Sequence, residues 1–487
     1  MSYLELLKLI SPEAIVTVTA LIVLAIGLTK FQSWTTCSSV AVLGLVLAIG
    51  AVLMLPEKAT LFDGMIVISR LTSLFKIICL GLAIFTASLA ISERSLAHPG
   101  EYVAILLLAT IGLMLLVGSE ELLMIFIGLE LLGLSLYVLA GFDKSDVRSA
   151  EAGLKYFLFG STASAFTLFG ISLIYGMSGS TSLAVIGQKL SNGSVQPLLA
   201  AGVVMTLIGF AFKIAAAPFH LWAPDAYQGA PISSAAFIAS GSKVASFVVL
   251  GKIVFVGFAP IHGRADWHAM IGGWSPLLAV LAALSILTGN FVALAQTNVR
   301  RLLAYSAVAH AGYTLLGLVA AGQDGFSATL FYATIYAVTL IGAFGAVGLV
   351  RRTTGGDDLR NFTGLSSRSP LVAAAMAIFM LSLAGLPPLA GFFGKFYLFS
   401  AAVRAGGNRG LLWLVAIALF GSLISLYYYL MVLKAIFVDE IKSAEPSGQL
   451  GSGNRLQQIV IIVLAAVVLF LGLMPQTLVA RIVASFP

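Results

Sequence analysis

The sequence has few charged residues and few cysteines for its length. Only 10% of the 487 residues are Asp, Glu, Lys or Arg, whereas 60% are hydrophobic and the mean hydropathy is +1.04. Roughly a quarter of the residues are charged in a soluble domain, so this composition excludes a soluble globular protein. The two cysteines, Cys37 and Cys79, lie in apolar surroundings without a CxxC spacing. They therefore support neither a disulfide framework nor a metal or iron–sulfur site, and are interpreted as small buried hydrophobic residues.

Apolar segments fill most of the chain. A membrane-spanning helix needs about 20 apolar residues, and cutting the chain at charged or Gly/Pro/Asn-rich interruptions predicts about fourteen crossings. The predicted fold class is an all-α polytopic membrane protein without a separate soluble domain, with the lipid bilayer as a partner. The crossings are predicted to begin near Ser11, Thr36, Leu71, Glu101, Glu121, Glu151, Gln196, Pro231, Trp274, Arg301, Phe326, Pro370, Gly410 and Leu456.

The basic residues give an orientation. The net charge is +7, but Lys and Arg are scattered singly between apolar runs instead of forming a stripe, so no nucleic-acid partner is predicted. Loops after odd-numbered crossings hold about fourteen Lys and Arg residues, and loops after even-numbered crossings hold about six. Because short cytoplasmic loops carry an excess of Lys and Arg, the loops after odd-numbered crossings are predicted to be cytoplasmic. We therefore expect both termini to face outward, across the membrane from the cytoplasm.

Two predicted crossings are interrupted by proline. The seventh contains Pro218 and Pro224, and the twelfth contains the run GLPPLAG from Gly385 to Gly391. Proline removes a backbone donor, which hydrocarbon tolerates only where the backbone is buried in protein or lines a cavity. Breaks at matching places in two halves, offset by about 175 residues, are typical of inverted-repeat transporters, whereas two harmless kinks are the alternative. The predicted division is an N-terminal three-helix segment (1–100), a first five-helix repeat (101–260), a second five-helix repeat (261–438), and a C-terminal loop with the last helix (439–487).

Four ionisable residues fall inside predicted crossings. Glu130 lies about 15 Å into the fifth crossing and Lys243 about 18 Å into the eighth, near the middle of a core roughly 30 Å thick. Lys213 is near the middle of the interrupted seventh crossing, and Lys395 lies just beyond the break in the twelfth. A charge at the bilayer centre costs at least about 3 kcal/mol, so these groups must pair or face water.

Lysines in this position are suited to carrying protons. An ion pair of Glu130 with Lys213 or Lys243 that only holds helices together would account for one base and leave two lysines without an acid in the membrane. Burial favours the neutral form of a lysine and a nearby carboxylate favours its charged form, so a lysine whose acid partner moves can alternately hold and release a proton. His220 and His310 could bridge the lysines, although His310 fits a satisfied core histidine equally well. A metal site fits less well, because no His or carboxylate cluster has ligand spacing.

Several motifs resemble a known family, the proton-translocating antiporter-like subunits of respiratory complex I, which are related to subunits of sodium/proton antiporters and membrane-bound hydrogenases. The length, the GFFGKF lysine and the SLYYYL stretch are most similar to the subunit N group of bacterial NADH:quinone oxidoreductase. The resemblance is carried by KIAAAPFHLWAPDAYQGAP at 213–231, GLELLGLSLYVLAGF at 128–142, NVRRLLAYSAVAHAGY at 298–313, GLPPLAGFFGKFYLF at 385–399 and SLYYYLMVLKAIF at 425–437.

The resemblance implies a site and a set of partners. In that family a glutamate of the fifth helix and lysines of the seventh, eighth and twelfth form the relay, and these positions are filled here by Glu130, Lys213, Lys243 and Lys395. One departure is Arg300, where a lysine is common; the change keeps the charge. The implied protein is a proton translocase of the bacterial inner membrane, assembled with other antiporter-like and small membrane subunits of complex I.

Redox cofactors are expected elsewhere in such a complex. The chain has no GxGxxG fingerprint, no flavin motif and no cysteine ligands, so no cofactor is predicted in it. NADH, FMN, iron–sulfur clusters and quinone are expected in partner subunits. Two alternatives remain open: a subunit of a sodium/proton antiporter or membrane-bound hydrogenase, and a structural spacer whose charges only hold helices together.

Overall fold

A computed structural model describes residues 3–93, 96–191, 196–405, 410–439 and 455–486 of the chain. Three of the basic residues used to predict the orientation, Arg94, Arg409 and Lys442, lie outside these ranges, as does most of the loop predicted after residue 439.

One short antiparallel hairpin joins β1 (Ala59–Leu61) to β2 (Ile66–Ile68). The α-helices are α1 (Tyr3–Leu9), α2 (Ser11–Gly27), α3 (Trp34–Leu53), α4 (Arg70–Ala90), α5 (Pro99–Gly118), α6 (Leu122–Ala140), α7 (Val147–Ser178), α8 (Leu183–Ser191), α9 (Pro197–Lys213), α10 (Ala223–Gly229), α11 (Ile232–Ala239), α12 (Gly241–Lys252), α13 (Trp274–Leu294), α14 (Val299–Ala320), α15 (Gly322–Thr354), α16 (Leu365–Arg368), α17 (Pro370–Ala384), α18 (Ala390–Arg404), α19 (Leu412–Phe437), α20 (Arg455–Leu473) and α21 (Gln476–Val483).

The predicted all-α membrane fold is confirmed. Within the described ranges, 11 helical segments are long and apolar enough to cross a membrane, with α11 and α12 counted as one segment, Ile232–Gly257. The bent pair α1 and α2, at 75°, could provide a twelfth crossing. The remaining predicted crossings are the two interrupted ones, whose apolar helices α9 and α17 are 17 and 15 residues long.

Polar residues at the predicted boundaries cap the helices. Ser33 accepts a hydrogen bond from the backbone of Thr36, and Glu121 accepts one from Met124 at 2.7 Å. Asn298 accepts from the backbone N–H groups of the first two arginines of α14. Because the first N–H groups of a helix have no partner within the helix, these side chains fix where the three helices begin.

Both predicted interruptions are present, and a third occurs without a proline. The chain leaves the helical path between α9 and α10 and between α17 and α18, and each break contains a cis X-Pro bond, at Ala217–Pro218 and Pro387–Pro388. The third break is at Ser240, between α11 and α12, where φ is −116° and ψ is −82°. The sequence predicts a continuous crossing there, because no proline marks the position and the adjacent Gly241 is tolerated inside a helix.

The most deeply buried helices carry the central part of the candidate site. The segment of α11 and α12, together with α14 and α15, is almost wholly enclosed, whereas α3, α7, α19 and α20 expose much of their surface. Cys37 and Cys79 are fully buried and unpaired, which confirms their interpretation as small core residues.

Candidate functional site

The break after α9 places Lys213 at a helix end inside the protein. Pro218 follows five residues later, and the backbone between α9 and α10 finds partners outside its own helix. The N–H of Ala217 donates to Ser285 Oγ on α13 at 2.8 Å, and the indole of Trp222 donates to the carbonyl of Phe212 at 3.1 Å. These bonds give backbone groups at the interruption partners inside the protein.

Lys213 and Glu130 share one cavity. The cavity is also lined by Tyr137 and Ser164. Lys213 is 5% exposed, and its Nζ lies 5.8 Å from the centre of the Tyr137 ring. Glu130 accepts a hydrogen bond from Ser164 on α7 and makes no ion pair within 4.0 Å to Lys213. The two predicted residues are therefore neighbours across a cavity, and the helix-gluing ion pair weighed from the sequence is absent between them.

The third break positions Lys243 in the first turn of α12, facing two other helices. Its Nζ donates to the carbonyl of Ala307 on α14 at 2.7 Å. It also lies 5.4 Å from the centre of the Tyr336 ring on α15, and the residue is 3% exposed. An ammonium over an aromatic ring and against a carbonyl is stabilised without a counter-ion.

His310, on α14, lies next to the Lys243 site. Its Nδ1 is 2.6 Å from the hydroxyl of Tyr332, and its Nε2 is 3.0 Å from the hydroxyl of Tyr429. Its ring centre is 4.8 Å from that of Tyr336, the same ring that Lys243 contacts. Both nitrogens are thus satisfied, as in a core histidine, and the ring packs against the same tyrosine as Lys243.

His220 is placed differently. It lies in the break between α9 and α10, is only partly buried, and its ring centre is 6.3 Å from that of Tyr305. Its Nδ1 is buried and has no hydrogen-bond partner among the described residues. The structure shows no direct bond from His220 to Lys213 or Lys243.

Lys395 occupies the first turns of α18, directly after the second proline break. Its Nζ donates to the carbonyl of Ala384 and to Ser422 Oγ on α19, both at 2.9 Å. It lies 5.1 Å from the centre of the Tyr313 ring. Gly385 has a φ of +87°, and a Cβ there would be 2.9 Å from Cδ of Lys395, so glycine provides both the turn and the space for the lysine.

Comparison with known proteins identifies the chain's relatives. The family model described as NADH:quinone oxidoreductase/Mrp antiporter, TM, matches residues 119–425. NADH-quinone oxidoreductase subunit N 2 of Acidobacterium capsulatum is 46% identical over 98% of each chain, and subunit N of Moorella thermoacetica is 39% identical over 97% of this chain and 96% of its own. The chain belongs to the NADH-quinone oxidoreductase subunit N family. A chain in the structure of Thermus thermophilus respiratory complex I with bound aureothin matches this subunit N family member at a TM-score of 0.81 and 32% identity, over 98% of this chain and 100% of its own.

This subunit N family member also contains buried basic residues that the sequence does not distinguish from helix-end charges. Lys76 on α4, 1% exposed at its side chain, pairs with Glu13 on α2 at 2.6 Å. Lys252, at the end of α12, donates to the carbonyl of Val117 at 2.9 Å and lies 3.4 Å from Glu120. Lys76 lies in the first two turns of α4 and Lys252 is the last residue of α12, so their positions relative to the helix ends gave no signal.

Arg300 differs from what the sequence suggests for this subunit N family member. It lies in the first turn of α14, as expected of a helix-end residue, yet its side chain is 0% exposed. The guanidinium donates to the backbone carbonyls of Tyr227, at 2.8 Å, and Ala230, and it lies 3.5 Å from Asp357. Arg300 therefore joins α10, α14 and the loop after α15. The positive charge of the residue does not by itself predict these contacts.

Proposed function

We propose that this chain moves protons across the membrane through Glu130, Lys213, Lys243 and Lys395, with His220 and His310 as bridging groups. It would do so as a membrane-arm subunit of a proton-translocating NADH:quinone oxidoreductase. The observation that carries the proposal is the environment of the three lysines. Each is at most 5% exposed, and no carboxylate oxygen of the described residues lies within 4.0 Å of its Nζ.

A buried lysine held in this way can change its protonation state. Carbonyl oxygens, hydroxyls and ring faces stabilise the charged form of a lysine, but less strongly than a carboxylate would. Burial away from water favours the neutral amine, so the two protonation states are brought closer in free energy than they are at a protein surface. This property is what a proton carrier needs and what a permanent structural ion pair lacks.

Glu130 is proposed to control the charge of Lys213. The two groups line one cavity without touching, so a small displacement of either one changes their electrostatic interaction strongly. Moving a proton against the membrane potential requires about 2.3 kcal/mol per 100 mV, so the relay must be gated or it would leak backwards. Glu130 is the only acid among the four predicted membrane charges and is the proposed gate.

The proposed route crosses the middle of the protein. A proton enters from the cytoplasmic side toward Lys213 and passes by way of His220 to Lys243. It then continues past His310 to Lys395 and leaves outward. The contacts of Lys243 and His310 with the same Tyr336 ring support the central part of this route.

The energy for transport is proposed to come from redox chemistry in partner subunits. NADH oxidation, FMN, iron–sulfur clusters and quinone would belong to those partners, and this chain would supply the proton path. The predicted location is the bacterial inner membrane with both termini outward, and we retain the division at residues 100, 260 and 438 as part of the proposal.

The test is proton translocation by the assembled complex. We expect Lys213→Ala and Glu130→Ala to lower the number of protons moved per NADH oxidised, and Lys395→Ala to probe the outward half separately. Lys434→Ala is the matched control, because the Lys434 side chain is 66% exposed. Unchanged proton translocation in Lys213→Ala and Glu130→Ala, with intact assembly, would refute the proposal.

A further inference from the structure

Asn290 connects two tyrosines between the His310 and Lys395 sites. It lies on α13, is fully buried, and its side-chain amide makes three hydrogen bonds. Nδ2 donates to the carbonyl of Ile286 at 2.7 Å and to the hydroxyl of Tyr313 at 3.0 Å, and Oδ1 accepts from the hydroxyl of Tyr428 at 3.1 Å. No step of the proposed relay uses this residue.

The directions of these three bonds are determined. Oxygen and nitrogen of an asparagine amide must be assigned from the network, and here the carbonyl of Ile286 decides, because a carbonyl can only accept. Nδ2 therefore faces Ile286, and its second hydrogen is directed at Tyr313. Oδ1 is left for Tyr428, which must donate. Tyr313 is thus held as an acceptor and Tyr428 as a donor.

Both tyrosines lie near predicted relay residues. The Tyr313 ring lies against Lys395, and its centre is 5.6 Å from that of the His310 ring. The Tyr428 ring packs at 4.5 Å, centre to centre, on that of Tyr429, whose hydroxyl bonds to His310. Asn290 therefore bonds to two tyrosines that lie near His310, one of which also lies against Lys395.

The neighbouring helix leaves space for this arrangement. At Gly421 on α19, a Cβ would lie 2.7 Å from Nδ2 of Asn290 and 2.9 Å from the hydroxyl of Tyr313. Any side chain at position 421 would therefore press on the Asn290–Tyr313 bond. Ser422, the next residue, accepts from Lys395, so the same turn of α19 accommodates both groups.

We propose that Asn290 is a positioning residue that fixes the direction of hydrogen bonding between the His310 and Lys395 sites, by holding Tyr428 as a donor and Tyr313 as an acceptor. This inference rests on the proposed function. Proton movement along hydroxyl groups requires each hydroxyl to turn after a transfer, and a hydroxyl that accepts from an amide N–H cannot turn its own proton toward that N–H. The Tyr313 proton is thereby kept off the Asn290 side and stays available for the outward step at Lys395.

Asn290→Asp inverts one bond and preserves the shape. The carboxyl oxygen that replaces Nδ2 carries at most one proton for two neighbours, and the carbonyl of Ile286 can only accept. Tyr313 is the group that can change role, so it becomes a donor to position 290. The bond from Tyr428 is retained, since Oδ1 still accepts.

The experiment compares variants in the assembled complex by two measurements. The first is the number of protons moved per NADH oxidised, in Asn290→Asp, Tyr313→Phe, the double variant and Lys395→Ala. The second is the infrared C–O stretching band of Tyr313, assigned by its loss in Tyr313→Phe. Thr288→Val is the matched control on α13, because the hydroxyl of Thr288 is exposed and bonds to a carbonyl of its own helix.

We expect Asn290→Asp to shift the Tyr313 band and to lower the proton yield to the level of Lys395→Ala, with NADH oxidation retained at half the wild-type rate or more. Tyr313→Phe should lower the yield similarly, and the double variant should be no lower than Tyr313→Phe, because Asn290 acts through that hydroxyl. Thr288→Val should change neither measurement.

Three results would overturn the inference. A wild-type yield in Asn290→Asp while Lys395→Ala is impaired would refute the role of Asn290 alone. A wild-type yield in Lys395→Ala would refute the outward half of the proposed relay and this inference with it. If Asn290→Asp does not assemble, Tyr313→Phe decides: a lowered yield supports the inference, and an unchanged yield refutes it.

Discussion

The buried pair Lys76–Glu13 gives a quantitative prediction, because either charge can be removed separately. The Lys76 ammonium lies 2.6 Å from the Glu13 carboxylate, and the two side chains are 1% and 7% exposed. We expect Lys76→Met to leave the Glu13 carboxylate buried without its counter-ion. The double variant Glu13→Met/Lys76→Met removes both charges and introduces apolar side chains of similar size.

The magnitude follows from the distance and the burial. At an effective dielectric constant of about 20, two unit charges at 2.6 Å attract by about 6 kcal/mol. Part of this attraction offsets the desolvation of the two ions, and breaking a buried pair from one side typically costs about 3 to 5 kcal/mol. Replacing both partners is often neutral or stabilising by about 1 to 4 kcal/mol. Lys76→Met should therefore be less stable than the double variant by about 3 kcal/mol or more.

The assay is thermal unfolding of the purified chain in detergent, with both single variants and the double variant. At roughly 2 °C per kcal/mol, the single variant should unfold about 6 °C or more below the double variant. Arg70→Gln is the matched control on the same helix. Its pair with Glu57 has a similar distance, 2.8 Å, but side-chain exposures of 61% and 76%, so its loss should cost less than about 1 kcal/mol.

A different ordering would refute this reasoning. If the double variant is as unstable as Lys76→Met, the pair does not behave as a desolvated ion pair. If Lys76→Met unfolds at the same temperature as Arg70→Gln, burial does not strengthen the Lys76–Glu13 ion pair.

Two further predictions concern packing and the buried arginine. Gly289→Ala should destabilise the chain by about 2 kcal/mol, because a Cβ at Gly289 meets the backbone N of Ala309 on α14. Gly50→Ala is the control and should not destabilise the chain, because no atom lies within 4 Å of a Cβ there. Equal unfolding temperatures of the two variants would contradict this prediction. Arg300→Met should lower the free energy of unfolding by about 3 kcal/mol or more, because Asp357 and two carbonyls lose their donor. Arg300→Lys should lower the free energy of unfolding less, because it keeps the charge. Equal unfolding temperatures of the two variants would contradict this prediction.

The candidate site was only partly predictable from the sequence. Depth along a helix depends on residue count, so Glu130 and Lys243 could be placed near the bilayer centre from spacing alone. Their partners could not, because a spacing does not tell which helix faces them. The carbonyl of Ala307 that accepts from Lys243, and the cavity that separates Glu130 from Lys213, follow from helix packing.

The sequence by itself determined the properties that depend on local chain chemistry. Apolar runs of sufficient length specify crossings, polar caps specify where helices begin, and prolines specify the breaks after α9 and α17. The tertiary structure alone decided which helix faces meet. Only their packing placed His310 between two tyrosines, enclosed Arg300 and oriented the amide of Asn290. The physical reason is that a buried polar group takes its partners from distant parts of the chain, and no local pattern records them.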